Sequence, residues 1–573
     1  MPEARERWNS RTAFVMAAVG SAVGLGNVWR FPTVCYQHGG GAFFIPYFIA
    51  LLTAGIPLMI LEYGVGQMMQ GSAPRSLGRV NRHFEWLGWF ALGVATIISI
   101  YYAIIMAYAL EYLVYAFKGF FSSGVMPWSG SAAGSARISE AAFFTNVVRN
   151  HSADTDQIWQ PVWHLVGALA LTWLAIFLIV YRGVKRVGKV VMLTVPLPVV
   201  VLLILILRGI TLPGAGSGIV YYLTPNFEAL TDPQTWIAAY GQIFFSLTIG
   251  FGVMIAYASY MPQDSDITNN AFITCFSNCA TSFFAGFAVF SVLGFLAWRQ
   301  GGVPVSEVLS GGPGLVFVTY PTAISEMGSL GWFWPPVVGV LFFVMLLFLG
   351  VDSLFSLTEG LTAGLKDRYP RLSTRAIAGG ICLGCFLIGS AIFANRAGIL
   401  WLDIFDHWTN DYGLVIVGLL ECLAVGYFFK TRRLRDFINE NSEIKLWGWW
   451  ELCIRLITPL LLGYLLFTSL LRELTRESIY GTGGTGFDRY IWIAPLIFLG
   501  LFLAAFALSR LWKALYVFGA ALVVFAFFRL ALPEGTGYAT AIFATGTTVF
   551  LFGTLGQCIS LARRKGKERK TDG

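Results

Sequence analysis

Between Gly20 and Pro32 the chain reads Gly20-Ser21-Ala22-Val23-Gly24-Leu25-Gly26-Asn27-Val28-Trp29-Arg30-Phe31-Pro32, placing three glycines, an Asn and an Arg inside an otherwise apolar segment. Hydrocarbon offers no water to free backbone N–H and C=O groups, so a helix broken at that depth has to be packed in protein or line a polar cavity. Close helix packing would account for the glycines alone. It does not call for Asn27 and Arg30 in the same segment. The expected occupants are ions and a small solute.

That reading presupposes a membrane, which the composition supplies. Of 573 residues 56% are hydrophobic and 12% are charged, against roughly 25% charged in a soluble domain. Apolar runs long enough to span recur about fourteen times. They lie near residues 12–35, 42–70, 88–117, 162–182, 190–209, 236–260, 270–298, 332–366, 374–394, 399–428, 449–472, 490–511, 513–531 and 537–562. The expected organisation is a transmembrane core over 1–511, an additional helix pair over 512–562 and a basic tail over 563–573. Met1 to Arg11 carries both charge signs and leads into the broken segment without a small-residue cleavage site, so it does not read as a signal peptide.

The net charge of +8 is explained by its distribution. Basic residues gather in alternate connections: Arg5, Arg7 and Arg11; Arg75, Arg79 and Arg82; Arg182, Lys185, Arg186 and Lys189; then Lys366 to Arg375, Lys430 to Arg435 and Arg563 to Lys570. By the positive-inside rule these share the cytoplasmic side with both termini. The expected location is a bacterial-type plasma membrane, and nucleic acid is not an expected partner. Stretches 118–161, 210–235 and 299–331, poor in Lys and Arg, read as loops on the opposite face. The eight cysteines lie mostly in apolar segments and behave as small buried hydrophobes. None has the company of a zinc site.

A second interruption, Gln242-Ile243-Phe244-Phe245-Ser246-Leu247-Thr248-Ile249-Gly250-Phe251-Gly252, falls five spans after the first. Two broken spans in corresponding positions suggest two five-helix repeats meeting at the bilayer midplane.

These residues resemble the neurotransmitter:sodium symporter family, which shares the LeuT fold. The likeness rests on Gly24 to Pro32, Gly39-Gly40-Gly41-Ala42-Phe43, Trp236-Ile237-Ala238-Ala239, Gln242 to Leu247, and Tyr257-Ala258-Ser259-Tyr260. It covers roughly residues 5–510. The implied fold is an all-α polytopic membrane protein with a 5+5 inverted repeat, about twelve core helices and about two extra C-terminal helices. The family gives no guide to that last pair. It resembles bacterial amino-acid members with an animal-like chloride site.

The resemblance implies a first sodium site from the Ala22 carbonyl, Asn27, Ser246, Asn278 and the substrate's own carboxylate. A second would use carbonyls of Gly20, Val23 and Leu349 with the side chains of Asp352 and Ser353. Sodium is a hard cation suited to such oxygen ligands. Where chloride-independent relatives place a carboxylate on helix 7 this chain has Ser282, and no Asp or Glu occurs from Asn269 to Arg299. Ser282 with Tyr47, Gln242, Ser246 and Asn278 resembles the chloride site of animal members.

Gly24 stands where monoamine carriers resemble one another in having Asp. With glycine there, a substrate carboxylate can approach the amides of Leu25 and Gly26 and the Tyr102 hydroxyl, at the positive end of a half helix. Ser21 belongs to the same pocket. The amine would meet carbonyls of Ala22, Phe245, Ser246 and Thr248. Ile98, Phe251, Ser353 and Leu357 would line the side-chain pocket and Phe245 would cover it. Arg30 with Asp406 matches the family's outer gate; Arg5 with Asp367, near Trp8 and Tyr260, matches its inner gate. Glu62, Glu359 and Glu421 are expected to accept hydrogen bonds from backbone freed by the breaks rather than to bind substrate.

The expectation is a sodium-coupled, chloride-dependent symporter importing a neutral amino acid by alternating access, with two sodium ions and one chloride. A symporter of taurine, betaine or GABA also suits the pocket. A transporter-like amino-acid sensor would show sodium-dependent binding without accumulation. An enzyme is disfavoured, since no nucleophile and base pair stands out and His occurs five times. Oligomeric state is left open.

Overall fold

The computed structural model describes residues 6–129, 140–150, 159–308 and 314–475, with Gly500, Ala505 and Ser509 singly. Among them nine helices are long and apolar enough to cross a membrane, or ten when one bent pair is counted as a span. That pair is α1, Arg11–Ala22, and α2, Leu25–Gln37, bent by 56°. There follow α3 (Gly41–Met69), α4 (Arg82–Phe120), α5 (Trp163–Val180) and α6 (Val184–Ile210). The second interrupted span is α7 (Pro233–Ser246) and α8 (Val253–Ala258). Then come α9 (Ile267–Arg299), α10 (Trp334–Arg368), α11 (Thr374–Ile392), α12 (Gly398–Phe428) and α13 (Gly448–Leu471). This is an all-α polytopic membrane protein. The spans expected at 513–531 and 537–562 and the basic tail lie outside the described residues, as do Arg5 and all of the span expected at 490–511 except Gly500, Ala505 and Ser509.

Polar caps start several helices where the chain leaves water. Ser10 Oγ accepts from Ala13 N at 3.1 Å, Asp232 Oδ1 from Gln234 N at 2.9 Å and Asp266 Oδ1 from Asn269 N at 2.9 Å, each satisfying an orphan donor of a first turn. Inside the membrane small residues let backbones approach. Helices α4 and α10 lie along one another, and a Cβ at Gly350 would come within 2.9 Å of Met106, one at Gly364 within 2.5 Å of Leu92.

All three expected loops carry helical segments, with Glu140–Ala142 and Phe143–Val148 in 118–161. Residues 210–235 include Ala215–Leu223, and 299–331 include Tyr320–Glu326. Their glycines and aromatics serve packing rather than turns alone. Gly218 lies against the Phe290 carbonyl so closely that a Cβ would overlap it, and Tyr222 stacks on Phe290 at 4.7 Å. The stack fixes the C-terminal half of α9, the helix whose middle carries the buried Asn278 and Ser282.

Candidate functional site

Both interruptions face one cavity. At the first, the regular helical bond from Leu25 N–H to the Ser21 carbonyl is absent. Leu25 N–H instead donates to the Tyr102 hydroxyl at 3.1 Å, and the Ser21 carbonyl accepts from the Thr248 hydroxyl at 2.9 Å. Gly24 N–H turns to Asn27 Oδ1 at 2.9 Å. This takes the carbonyls of Gly20, Ala22 and Val23 out of the helical ladder and leaves them available to a ligand. At the second break Thr248 has φ 56°, followed by Gly250 at 82° and Gly252 at 71°. A non-glycine residue in that left-handed region is strained, and its hydroxyl bond to Ser21 ties one break to the other. Gly250 N–H donates to Glu62 Oε1 at 2.7 Å.

The cavity is lined by Ser21, Ala22, Gly24, Gly26, Asn27, Ile98, Tyr102, Phe245, Ser246, Thr248, Phe251, Ser353 and Leu357, and about 40 Å³ of it is open to water-sized solutes. Leu25 adjoins it through its bond to Tyr102. The glycines shape it. A Cβ at Gly24 would stand 2.6 Å from Ser353 Oγ and 3.1 Å from the Tyr102 oxygen; one at Gly26 would stand 2.8 Å from the Phe245 ring. Among the described residues no charged side chain lines this cavity.

Oxygen-rich groups gather beside it. Asn27 Nδ2 donates to Asn278 Oδ1 at 2.8 Å and to Ser282 Oγ at 2.7 Å, and Ser246 Oγ lies 3.1 Å from Asn278 Oδ1. In this orientation Asn278 Oδ1 also faces the Ala22 carbonyl at 3.0 Å, so acceptors converge, an arrangement that a cation satisfies; with the amide turned, its NH2 donates to Ala22 instead. Ala22, Asn27, Ser246 and Asn278 are thus brought together.

A second group forms around Asp352, which is 2% exposed with Oδ1 lacking any hydrogen-bond partner. A Cβ on Gly20 would lie 3.1 Å from its Oδ2. Ser353 Oγ is 3.5 Å from the Ser21 carbonyl and 3.4 Å from that of Leu349. An unpaired carboxylate at membrane depth calls for a cation, and the oxygens around Asp352 suit sodium. Next to the first group, Gln242 is buried with neither amide atom partnered. It precedes Ser246 by one turn. Tyr47 contacts Cys279 through its hydroxyl at 3.4 Å, and Ser282 meets Asn27. These neutral donors fit an anion, which a carboxylate there would repel.

The residues expected at the outer gate each meet other partners in this structure. Arg30 and Asp406 make no direct ion pair. The Arg30 guanidinium lies over the Phe245 ring at 4.4 Å with Nη1 unpartnered, while Asp406 Oδ1 accepts from the Tyr101 hydroxyl at 2.8 Å and from Asn410 at 2.5 Å. The acid's hydrogen-bonding capacity on that oxygen is taken up locally, and the arginine rests on the Phe245 ring. On the other side Trp8 is buried, donating from Nε1 to the Tyr257 carbonyl at 2.9 Å and from its amide to Tyr260 O at 3.3 Å. Asp367 accepts from Ser72 N–H at 2.8 Å and pairs with Arg75 at 3.1 Å. Arg75, Tyr101, Asn410 and Tyr257 were not anticipated. Arg75 sits in a basic connection that topology alone explained, and the others lie in apolar runs.

Of the three buried acids, Glu62 meets freed backbone as expected. Glu359 instead accepts from the Tyr260 hydroxyl at 3.1 Å. Glu421 has neither oxygen hydrogen-bonded.

Two discontinuous membrane spans converging on a small cavity, with unpaired oxygens beside it, define a membrane transporter of ions and a small solute. Residues 5–502 match the sodium:neurotransmitter symporter family, and the chain belongs to that family. It is 39% identical to a sodium-dependent transporter of Methanocaldococcus jannaschii over 82% of this chain and 92% of that protein. It is 34% identical to the sodium- and chloride-dependent taurine transporter of Bos taurus, over 84% and 80% respectively. With a sodium- and chloride-dependent neutral and basic amino acid transporter of Mus musculus it shares 35% identity over 82% and 80%. The protein is a sodium-dependent symporter.

Proposed function

We propose that the protein imports a neutral amino acid together with sodium, in a chloride-dependent cycle. The observation that carries the substrate class is the cavity wall at Gly24. A side chain there would strike Ser353 and Tyr102, so the wall presents the α2 amides and the Tyr102 hydroxyl, which suit a carboxylate. The absence of charged residues from the lining, among the described residues, disfavours acidic and basic side chains on the substrate. Two sodium sites are proposed, the Ala22, Asn27, Ser246, Asn278 group and the Gly20, Val23, Leu349, Asp352, Ser353 group. Chloride is placed at Tyr47, Gln242, Ser246, Asn278 and Ser282, supported by the unpartnered Gln242 amide.

In the proposed cycle the substrate carboxylate completes the first sodium site, and Phe245 under Arg30 closes over it. Separation of Trp8 from Tyr257 and Tyr260 then opens the opposite side, taken as cytoplasmic from the basic connections. A small osmolyte is the second reading, favoured by the small cavity and by similarity to a taurine transporter. Uptake into proteoliposomes over a panel of neutral amino acids, taurine, betaine and GABA, with sodium and chloride replaced separately, decides between them. Uptake of no zwitterion, or uptake unaffected when gluconate replaces chloride, refutes the corresponding part.

A further inference from the structure

Away from this cavity, the turn from α5 into α6 builds a groove of about 630 Å³ lined by Arg182, Lys185, Arg186 and Lys189. Arg375, at the start of α11, joins them. The guanidinium carbons of Arg182, Arg186 and Arg375 lie 5.1, 5.0 and 5.7 Å from the centre of the single Tyr181 ring. One aromatic ring gives each cation a modest attraction and cannot neutralise three. None of these five cations forms an ion pair with a described residue. Arg186 Nη1 bonds the Tyr181 hydroxyl at 3.2 Å, while its Nε is buried without a partner. The adjoining acid, Glu6, has Oε2 engaged by Val184 N–H at 3.2 Å.

Val190, Leu193 and Thr194 complete the groove's lining, and Leu193 and the neighbouring Met192 are 65% and 49% exposed on α6, a helix apolar enough to cross a membrane. A positive rim over an exposed hydrocarbon floor matches an amphiphile whose head is anionic. A soluble anion would leave that floor unused. Guanidinium groups pair bidentately with phosphate oxygens, and basic pockets between membrane helices hold acidic lipid headgroups.

We propose that this groove is a binding site for an anionic phospholipid of the surrounding bilayer, its phosphate held by Arg182 and Arg186 and its acyl chains against Val190 and Leu193. Topological charge alone explains why cations are on this side. It does not explain three arginines gathered on one ring with an unpartnered buried Nε.

The test is native mass spectrometry of the full-length protein in detergent, titrated with phosphatidylglycerol and, separately, with phosphatidylcholine. Phosphatidylglycerol is expected to bind about tenfold or more tightly, and R182Q/R186Q to weaken it about thirtyfold. R432Q/R433Q, which removes the same charge from the exposed face of Thr431–Asn441, is expected to leave it within about twofold. Sodium-dependent thermal stabilisation of R182Q/R186Q checks its fold; should it not fold, R182K/R186K keeps the charge, loses the bidentate fork and is expected to bind several-fold more weakly. Equal losses in R182Q/R186Q and R432Q/R433Q, an R182K/R186K affinity equal to wild type, or full displacement of the lipid by an equal concentration of soluble glycerophosphate would overturn the proposal.

Discussion

Asp352→Asn tests the proposed second sodium site most directly, because Asp352 is almost wholly buried and its Oδ1 has no protein partner. Breaking a buried ion pair by removing one charge costs about 3–5 kcal/mol. Asparagine keeps one oxygen in place, so the lower end, about 3 kcal/mol, is appropriate; that is about two orders of magnitude in sodium affinity. At a sodium concentration about 100 times the wild-type Kd, bound sodium stabilises the fold by about 2.7 kcal/mol, and in the variant by about 0.3 kcal/mol. Without sodium the sign reverses. The wild type then holds an uncompensated carboxylate that the variant lacks, so the variant should be at least as stable. Thermal unfolding of purified protein, with sodium titrated against a potassium background, measures both effects, and proteoliposome uptake should fall in parallel. A variant stabilised by sodium over the same concentration range as wild type would refute the assignment. One destabilised in both conditions would show a structural role instead.

Ser282→Glu should supply the missing fixed charge beside the first sodium group, so that replacing chloride with gluconate abolishes uptake by the wild type but not by the variant. Thr248→Val retains the strained φ and loses the bond to the Ser21 carbonyl, which should lower thermal stability by about 1–3 kcal/mol; unchanged stability would show that the link between the breaks carries no weight. Trp8→Ala removes a buried indole and its bond to the Tyr257 carbonyl, disfavouring the inward-closed state by about 3–5 kcal/mol. Apparent sodium affinity should drop with the population of that state, and an unchanged sodium titration would exclude Trp8 from gating.

The membrane spans were legible because hydrocarbon imposes one requirement, a long apolar run, that sequence displays directly. The two breaks were legible for the converse reason, since glycine and amide residues at that depth violate the requirement. The helices Ala215–Leu223 and Tyr320–Glu326 were not. They form by stacking on α9 and α10, as Tyr222 does on Phe290 and Tyr320 on Phe342, and tertiary contacts of that kind leave no local period. Residues around the cavity followed from family resemblance, and the structure brings them together. The state of the gates did not follow. Whether Asp406 faces Arg30 or Tyr101 depends on side-chain geometry across three helices, which no linear pattern encodes.

That difference bears on how coupling is arranged. Ser21 contributes its carbonyl to Thr248 and its hydroxyl to Ser356 at 2.7 Å, so α1 is held at once to the second break and to α10. Gly20, one residue earlier, abuts both Val195 of α6 and Asp352 of α10. Withdrawing α1 from α10 would therefore separate Gly20 from Asp352 and open the cavity wall at Ser353 in one motion. Each broken hydrogen bond contributes only about 1 kcal/mol, a barrier that thermal motion crosses readily. Stripping a cation from a buried carboxylate is several times costlier. On the proposed reading, the ion at Asp352 is thus what holds α1 against α10, and its release is what frees α1 to move.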